Sequence, residues 1–215
     1  MGPDGVVLVD YAGAKAAGAD DRLAVWLKQT QATDPTSLRP ESAMAWWINL
    51  YNAKTVDLIF GDYPVGSIKE VMGGLFNTGP WDEKVLRVNG SALSLNDVEH
   101  GILRPVWGDN RIHYAVNCAS VGCPNLKRTP WAAATLEADL DAAVRAYVNH
   151  PRGASLDNGR LTVSKIYDWY QDDFGGSEEG VIAHLKAYAD ASFAEALKGV
   201  DEVHDTVYDW SLNQT

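Results

Sequence analysis

The chain has 215 residues, 46% of them hydrophobic and 22% charged, a composition typical of a globular domain. Its net charge is −11 and its lysines and arginines are scattered, which argues against nucleic-acid binding. No apolar run reaches about 18 residues, so we expect no membrane span. We therefore predict one domain over residues 1–215, and the sequence leaves its oligomeric state open.

The beginning of the chain lacks the basic and apolar regions of a signal peptide. Residues 6–9 already read as a strand, which is the start expected of a chain whose leader has been removed. Such a chain would be exported to the periplasm or the cell exterior. Its two cysteines, Cys118 and Cys123, make no disulfide framework, so composition leaves the compartment open.

Two helices are predicted in the first third of the chain. Apolar residues at helical spacing indicate a helix over residues 20–32, capped by Asp20 or Asp21. A denser pattern over residues 41–60 indicates a helix buried on most sides. Asn49 and Asn52 lie inside this helix, so we expect both to be inaccessible and hydrogen-bonded.

The middle of the chain is predicted to hold a loop, a hairpin, a short helix and a strand. Residues 62–80 are rich in glycine and proline, and the pair at 89–90 is Asn-Gly, typical of a tight hairpin turn over residues 84–93. A capping pattern at Ser94 begins a helix over residues 95–104, which we expect to end before a proline. Alternating apolar residues over 111–117 indicate a buried strand.

The last third is predicted to alternate helices with short strands. We expect helices over residues 135–148, 164–174 and 178–190, a hairpin around residues 158–159, and a last strand over residues 203–212. Because strands and helices do not alternate as βαβ units, the fold class is α+β, with helices packed on a small, mainly antiparallel sheet.

Four segments together resemble the domain-of-unknown-function family 547. They are Trp46-Trp47-Ile48-Asn49-Leu50-Tyr51-Asn52-Ala53, the helix around Glu99-His100, Asn117-Cys118 with Gly122-Cys123-Pro124, and Tyr167-Asp168-Trp169-Tyr170 with Asp173-Phe174. The resemblance covers roughly residues 41–190, which we take as the core of the domain, with N- and C-terminal extensions packed on it.

The resemblance implies a distant similarity to papain-like and transglutaminase-like thiol enzymes. It maps the suspected glutamate, histidine and cysteine onto Glu99, His100 and Cys118. It also implies that bacterial members are often exported. Here the histidine precedes the cysteine, so a papain-like fold would have to be a permuted one.

The residues themselves favour Cys118 as a nucleophile, because it follows a predicted strand and precedes a turn of small residues. Among the five histidines, His113 is about 16 Å away along an extended strand and is predicted to be a core residue. His100 therefore remains as the candidate base. Adjacent residues point in different directions on a helix, so we expect either that Glu99 faces the cleft separately or that Asn49 or Asn52 orients the His100 ring. A salt bridge to Arg104 would satisfy Glu99 equally well.

Other kinds of site find less support in the sequence. Two cysteines in a C-x4-C spacing with one histidine make a poor zinc site, and we predict no metal or cofactor. A regulatory disulfide between Cys118 and Cys123 stays open, provided that their Cα atoms lie within roughly 7 Å. The aromatic residues at positions 46–47 and 167–170 are predicted to be core rather than a substrate platform.

The sequence thus predicts a thiol-dependent hydrolase or acyl transferase acting on a peptide or another amide-containing substrate. Cys118 would attack, His100 would act as base, and a backbone N–H near Ala119 with an asparagine side chain would stabilise the oxyanion. The alternative is a non-catalytic binding or scaffold module with a structural cysteine.

Overall fold

A computed structural model describes residues 4–72 and 78–215, and its mixture of helices with two small sheets confirms the α+β class. The helices are α1 Tyr11–Ala16, α2 Ala19–Gln31, α3 Pro40–Asp62, α4 Leu95–Val98, α5 Arg104–Trp107, α6 Leu136–Val148, α7 Lys165–Trp169, α8 Glu178–Tyr188 and α9 Ala191–Ala196. The strands are β1 Leu86–Val88, β2 Ser91–Leu93, β3 Ala154–Asp157, β4 Arg160–Ser164 and β5 Asp205–Val207.

Helix α3 is buried along much of its length, as its apolar pattern predicts. Pro40 occupies its first turn, where a missing N–H costs nothing, and the helix extends two residues beyond the predicted end. The Asn52 side chain is buried: its amide donates to the Ala115 carbonyl (2.8 Å) and its oxygen accepts from the Asn117 N–H (2.8 Å). Asn49 is half-buried and binds both backbone groups of Trp131.

Both predicted hairpins are present, and each turns at an Asn-Gly pair. Strands β1 and β2 pair antiparallel, as do β3 and β4, while β5 adds to β4 in parallel. Asn89 and Asn158 adopt φ values of 50° and 49°, the left-handed conformation that these tight turns require. The last strand is shorter than the predicted range of 203–212.

The prediction that a helix ends before Pro105 is wrong. The capping box of Ser94 and Asp97 starts α4 as expected, but the helix passes through a π turn, Glu99–Leu103, into α5. The Arg104 N–H donates to the Glu99 carbonyl across this wider turn. Pro105 then lies in the first turn of α5, where its missing N–H is tolerated.

The predicted strand over residues 111–117 is also wrong. The segment Asn110–Tyr114 is a 3-10 helix. Asp109 caps it by accepting a hydrogen bond from the Arg111 N–H at 2.9 Å. Ile112, His113 and Tyr114 are all buried in succession, so the period-two pattern did not report a strand with one exposed face. The Asp109 cap and the burial of these residues favour a 3-10 helix over the strand that the alternating apolar pattern predicts.

Several smaller differences separate the structure from the predicted elements. Residues 6–9 form one isolated bridge, between Val9 and Gln214, instead of a strand. Helices α1 and α9 were not predicted. The region 62–80 contains the 3-10 helix Ile68–Glu70, and the part of that loop prediction on residues 73–77 lies outside the described residues. The helix predicted over 164–174 is α7 followed by a 3-10 turn, Gln171–Phe174.

The C-terminal segment, residues 207–213, runs along the loop that carries the two cysteines. Gly122 donates to the Asp209 carbonyl (2.8 Å) and Val121 to the Ser211 carbonyl (2.8 Å), and Ser120 forms an antiparallel bridge with Leu212. The last residues of the chain therefore contribute to the region around Cys118. Within residues 4–72 and 78–215, no helix combines the length and the apolar character that crossing a membrane would need.

Candidate active site

A cavity of about 340 Å³ opens beside the two cysteines. Its walls come from α3, the π turn, the 3-10 helix before Cys118, α7 and the C-terminal segment. Among its lining residues are Tyr51, Glu99, His113, Cys118, Cys123, Trp169, Tyr170, Tyr208 and Trp210. This volume is within the range of small-molecule pockets, about 300–1,000 Å³. Two of the three predicted site residues, Cys118 and Glu99, therefore face one cavity.

Cys118 and Cys123 form a disulfide, with their Cα atoms 6.3 Å apart. This separation satisfies the limit of roughly 7 Å for the pairing that the sequence left open. Cys118 is half-buried and Cys123 is buried, so Cys118 is the more exposed residue of the two. Both line the cavity.

The buried Asn117 side chain shapes this loop. Its oxygen accepts from the Ala119 N–H at 2.8 Å and its amide donates to the Pro124 carbonyl at 2.7 Å. Ala119 has φ 58°, a left-handed conformation that is strained for a residue with a Cβ. The loop is therefore held in one shape by a side chain inside it.

The Ala119 N–H is bonded to the Asn117 side chain, so it is not free to serve as the oxyanion donor that we expect near Ala119. The Cys118 N–H instead donates to Cys123 Sγ at 3.0 Å. The Cys118 N–H thus lies on the same residue as the candidate nucleophile and is bonded to the sulfur of Cys123.

Tyr208 lies over the disulfide. Its hydroxyl oxygen is 3.0 Å from Cys118 Sγ, 3.1 Å from Cys123 Sγ and 2.9 Å from Ser120 Oγ. Burial raises the pKa of Tyr208 far above its ordinary value, so the hydroxyl stays protonated and can donate. The C-terminal segment thus places a hydrogen-bond donor beside the sulfurs.

Three ionisable groups, Glu99, His113 and Asp173, form a chain at the cavity; Glu99 and His113 line it, and Asp173 binds His113. His113 Nε2 lies 2.7 Å from Asp173 Oδ2, and His113 Nδ1 lies 3.7 Å from Glu99 Oε1. The hydrogen bond from His113, together with those from Arg104, lowers the pKa of Asp173 well below its ordinary value. An ionised carboxylate only accepts, so Nε2 donates its proton to Asp173, while Nδ1 faces the Glu99 carboxylate.

Tyr170 covers the face of His113, with the ring centroids 4.2 Å apart and the planes 16° from parallel. The Tyr51 and Tyr170 hydroxyls interact with the Glu99 carboxylate, and its charge adds to burial in raising the pKa of both phenols. Glu99 itself is only 5% exposed. The sequence allowed Glu99 either to face the cleft or to bind Arg104, and Arg104 pairs with Asp173 instead.

His100 lies apart from this arrangement. It does not line the cavity among the described residues. Its Nδ1 lies 3.2 Å from the Arg104 guanidinium, and its ring packs against Tyr170 at a centroid distance of 5.6 Å. The structure therefore brings together Cys118, Glu99 and His113, and leaves His100 one residue along the π turn from Glu99.

A sequence model of the family described as "Protein of unknown function, DUF547" matches residues 35–148, which is more than half of the chain. The chain belongs to this family. No curated protein and no solved structure matches the chain. The matched region includes Cys118, Glu99 and His113, whereas Trp169, Asp173 and Tyr208 lie C-terminal to it.

Four residues at the site, His113, Trp169, Asp173 and Tyr208, were not expected there from the sequence. The sequence predicts that His113 is too far from Cys118 to act as its base, because an extended strand would separate them. The segment Asn110–Tyr114 is instead a 3-10 helix, in which the rise per residue is smaller than in a strand. Asp173 and Tyr170 both belong to the motif that resembles the family, but the sequence assigns Tyr170 to the core and gives Asp173 no role. Trp169 is 43% exposed and lines the cavity, so the prediction that it is core is wrong. No local pattern pointed to Tyr208.

Proposed function

We propose that the protein is a thiol-dependent hydrolase or acyl transferase whose nucleophile is Cys118 and whose base is His113. The observation that carries the proposal is that Cys118, His113 and Glu99 line a single cavity. A positioned histidine with one nitrogen tied to a carboxylate is the arrangement that general-base catalysis needs. Here Asp173 holds His113 Nε2, and Nδ1, which faces Glu99, is the nitrogen that would exchange a proton with Cys118.

The reaction starts with release of the Cys118 thiol. A dithiol reductant supplies two electrons and two protons, becomes a disulfide itself, and leaves Cys118 and Cys123 as thiols. The Cys118–Cys123 disulfide in the structure is then the inactive, resting form, in which the nucleophilic thiol is not available. This requirement makes activity dependent on the redox state of the surroundings.

The Cys118 sulfur then gives its proton to His113 and attacks the carbonyl carbon of an amide. A C–S bond forms, the C–N bond breaks, and the amine leaves with the proton from His113. Water hydrolyses the thioester to a carboxylic acid and restores the thiol, or an acceptor amine takes the acyl group. The Cys118 N–H, freed from Cys123 Sγ, is the candidate oxyanion donor.

A second function, thiol–disulfide exchange, is favoured by the same disulfide. Cys118 is the more exposed of the two cysteines, and a substrate thiolate would attack its sulfur and displace Cys123. The two functions differ in their need for Cys123. Exchange requires both sulfurs, whereas hydrolysis requires only Cys118. The binding or scaffold module remains the third possibility and requires neither.

The decisive experiment measures the reactivity of Cys118 alone. In Cys123→Ala, the rate of Cys118 alkylation by iodoacetamide is followed from pH 4 to 10 by mass spectrometry. We expect an apparent thiol pKa at least about one unit below the free value near 8.5. Adding His113→Gln should raise it toward 8.5, and adding His100→Gln should leave it unchanged.

Each other outcome assigns a different role. An ordinary or unreactive thiol contradicts the nucleophile and leaves a binding module. If His100→Gln raises the apparent thiol pKa and His113→Gln does not, the base is His100, as the sequence predicted. With amide substrates, turnover should persist in reduced Cys123→Ala and vanish in Cys118→Ala. If neither variant cleaves amides and both lose exchange with a small disulfide, the protein is a redox protein.

A further inference from the structure

Four aromatic rings surround the mouth of the cavity. Trp81, Trp169, Tyr208 and Trp210 all line it, and each has another of the four within 5.5 Å between ring centroids. We call these four side chains the aromatic cage. Trp169 is 43% exposed, and Trp81 and Trp210 are half-buried, so the cage is open to solvent on one side.

The rings are tilted against one another. Tyr208 meets Trp210 at 54° and Trp169 at 55°, and Trp81 meets Trp210 at 70°. Ring faces with different orientations enclose a rounded group better than a flat one. This geometry suits an alkylammonium head, which aromatic faces attract through their quadrupoles, better than a sugar ring stacked on a flat platform.

The charges of the cavity agree with this choice. Asp82, Glu83 and Glu99 line it, and none of the described lining residues is a lysine or arginine. The protein also carries a net charge of −11, which adds an attraction for cations at longer range. The carboxylates of Asp82, Glu83 and Glu99 would repel an anionic ligand in this cavity.

Trp210 already contacts an ammonium within the protein. Lys69 Nζ lies 4.4 Å from the centroid of the Trp210 ring, and Lys69 is not among the residues that line the cavity. This contact is independent of the acidic residues. It shows that this indole binds an ammonium on its face, although the charge of Lys69 itself opposes a second cation at the same ring.

We propose that the aromatic cage binds a positively charged alkylammonium group, and that the substrates of the site are amides carrying such a group. The second clause rests on the proposed function, and the first does not. The cage and Cys118 share one cavity, so a cation bound in the cage brings a linked acyl group toward the sulfur.

The test compares choline with 3,3-dimethylbutan-1-ol, which has nearly the same shape and no charge. Binding to the intact, oxidised protein is measured by calorimetry and tryptophan fluorescence, so no active thiol is needed. We expect choline to bind at least about tenfold more tightly than the alcohol. Added salt should weaken choline binding, because the carboxylates at the mouth are exposed.

The matched variants are Trp169→Leu and Trp26→Leu, which remove two tryptophans of similar exposure, 43% and 39%. Only the first residue lines the cavity. Trp169→Leu should weaken choline binding at least about fivefold, and Trp26→Leu should leave it unchanged. Asp82→Asn with Glu83→Gln should reduce the preference for choline over the alcohol.

Three results would overturn the inference: equal affinity for choline and the alcohol, no saturable binding of choline, or tighter binding of a neutral disaccharide. The result also separates this inference from the proposed function. Choline selectivity with an ordinary Cys118 pKa overturns the hydrolase alone. A low Cys118 pKa without choline selectivity overturns the cage alone.

Discussion

At the scale of single residues, the candidate site depends on how Asp173 is held. Its carboxylate accepts from His113 Nε2 at 2.7 Å and from two nitrogens of Arg104 at 2.6 and 3.0 Å. It thereby orients the His113 ring and holds the Arg104 guanidinium. Charge-assisted bonds of this kind are stronger than neutral ones, so Asp173 should also contribute to stability.

We predict that Asp173→Asn lowers the free energy of unfolding by about 1–2 kcal/mol at pH 7. The pKa of Asp173 is depressed in the folded protein, so its contribution is fully present above the unfolded value near 3.9 and is lost as the pH falls through the folded value. The difference between wild type and variant should therefore shrink below about pH 4. Urea denaturation at several pH values measures it.

The exposed Asp168 provides the control for this prediction, since it lies on α7 close to Asp173 in sequence. Asp168→Asn should change the free energy of unfolding by less than about 0.5 kcal/mol across the same pH range. A constant difference between Asp173→Asn and wild type down to pH 2 would show that the loss is one of packing and not of charge.

At the scale of elements, α3 holds the segment before the cysteines through one side chain. Asn52 accepts from the Asn117 N–H and donates to the Ala115 carbonyl, so it binds this non-helical backbone as a neighbouring strand would. Asn117 in turn shapes the loop that holds Cys118. The position of the candidate nucleophile therefore depends on a residue 66 positions earlier in the chain.

We predict that Asn52→Ala destabilises the protein by about 2–4 kcal/mol, because two buried backbone groups lose their partners. Asn49→Ala is the matched control on the same helix. Asn49 also binds one backbone donor and one acceptor, but it is half-buried and water can replace it. Its loss should cost less than about 1.5 kcal/mol. Urea midpoints of both variants test the difference, and equal losses would contradict it.

At the scale of the whole molecule, the cavity is closed by joining distant parts of the chain. The cysteine loop lies against the C-terminal segment so closely that a Cβ on Gly122 would be 2.9 Å from both the backbone nitrogen and oxygen of Asp209. Both atoms belong to the backbone and cannot move aside as a side chain can. This approach is what places Tyr208 over the sulfurs.

We predict that Gly122→Ala destabilises the protein by about 1–3 kcal/mol, because it forces the C-terminal segment away from the loop. Gly61→Ala, near the end of α3, has open space around the added methyl and should be neutral or stabilising by up to about 1 kcal/mol. Thermal denaturation of both variants tests this. If Gly122→Ala does not change the stability, the cysteine loop and the C-terminal segment can separate at little cost in free energy.

The sequence by itself determined the elements that local chemistry specifies. The Asn-Gly turns, the capping box at Ser94 and the apolar pattern of α3 each predicted a structure that is present. These signals depend on residues a few positions apart, so they need no knowledge of the fold. The family resemblance likewise followed from short motifs, and the match over residues 35–148 confirms it.

The tertiary structure decided which of the chemical groups meet. Burial of three consecutive residues made a 3-10 helix of a segment that alternates like a strand, and this put His113 beside the cavity of Cys118. Asp173 reaches His113 from 60 residues further along the chain, and Tyr208 reaches Cys118 from 90 residues further along. Such contacts are set by how whole elements pack, and no spacing within the sequence encodes them, because chain separation does not determine distance in a folded protein.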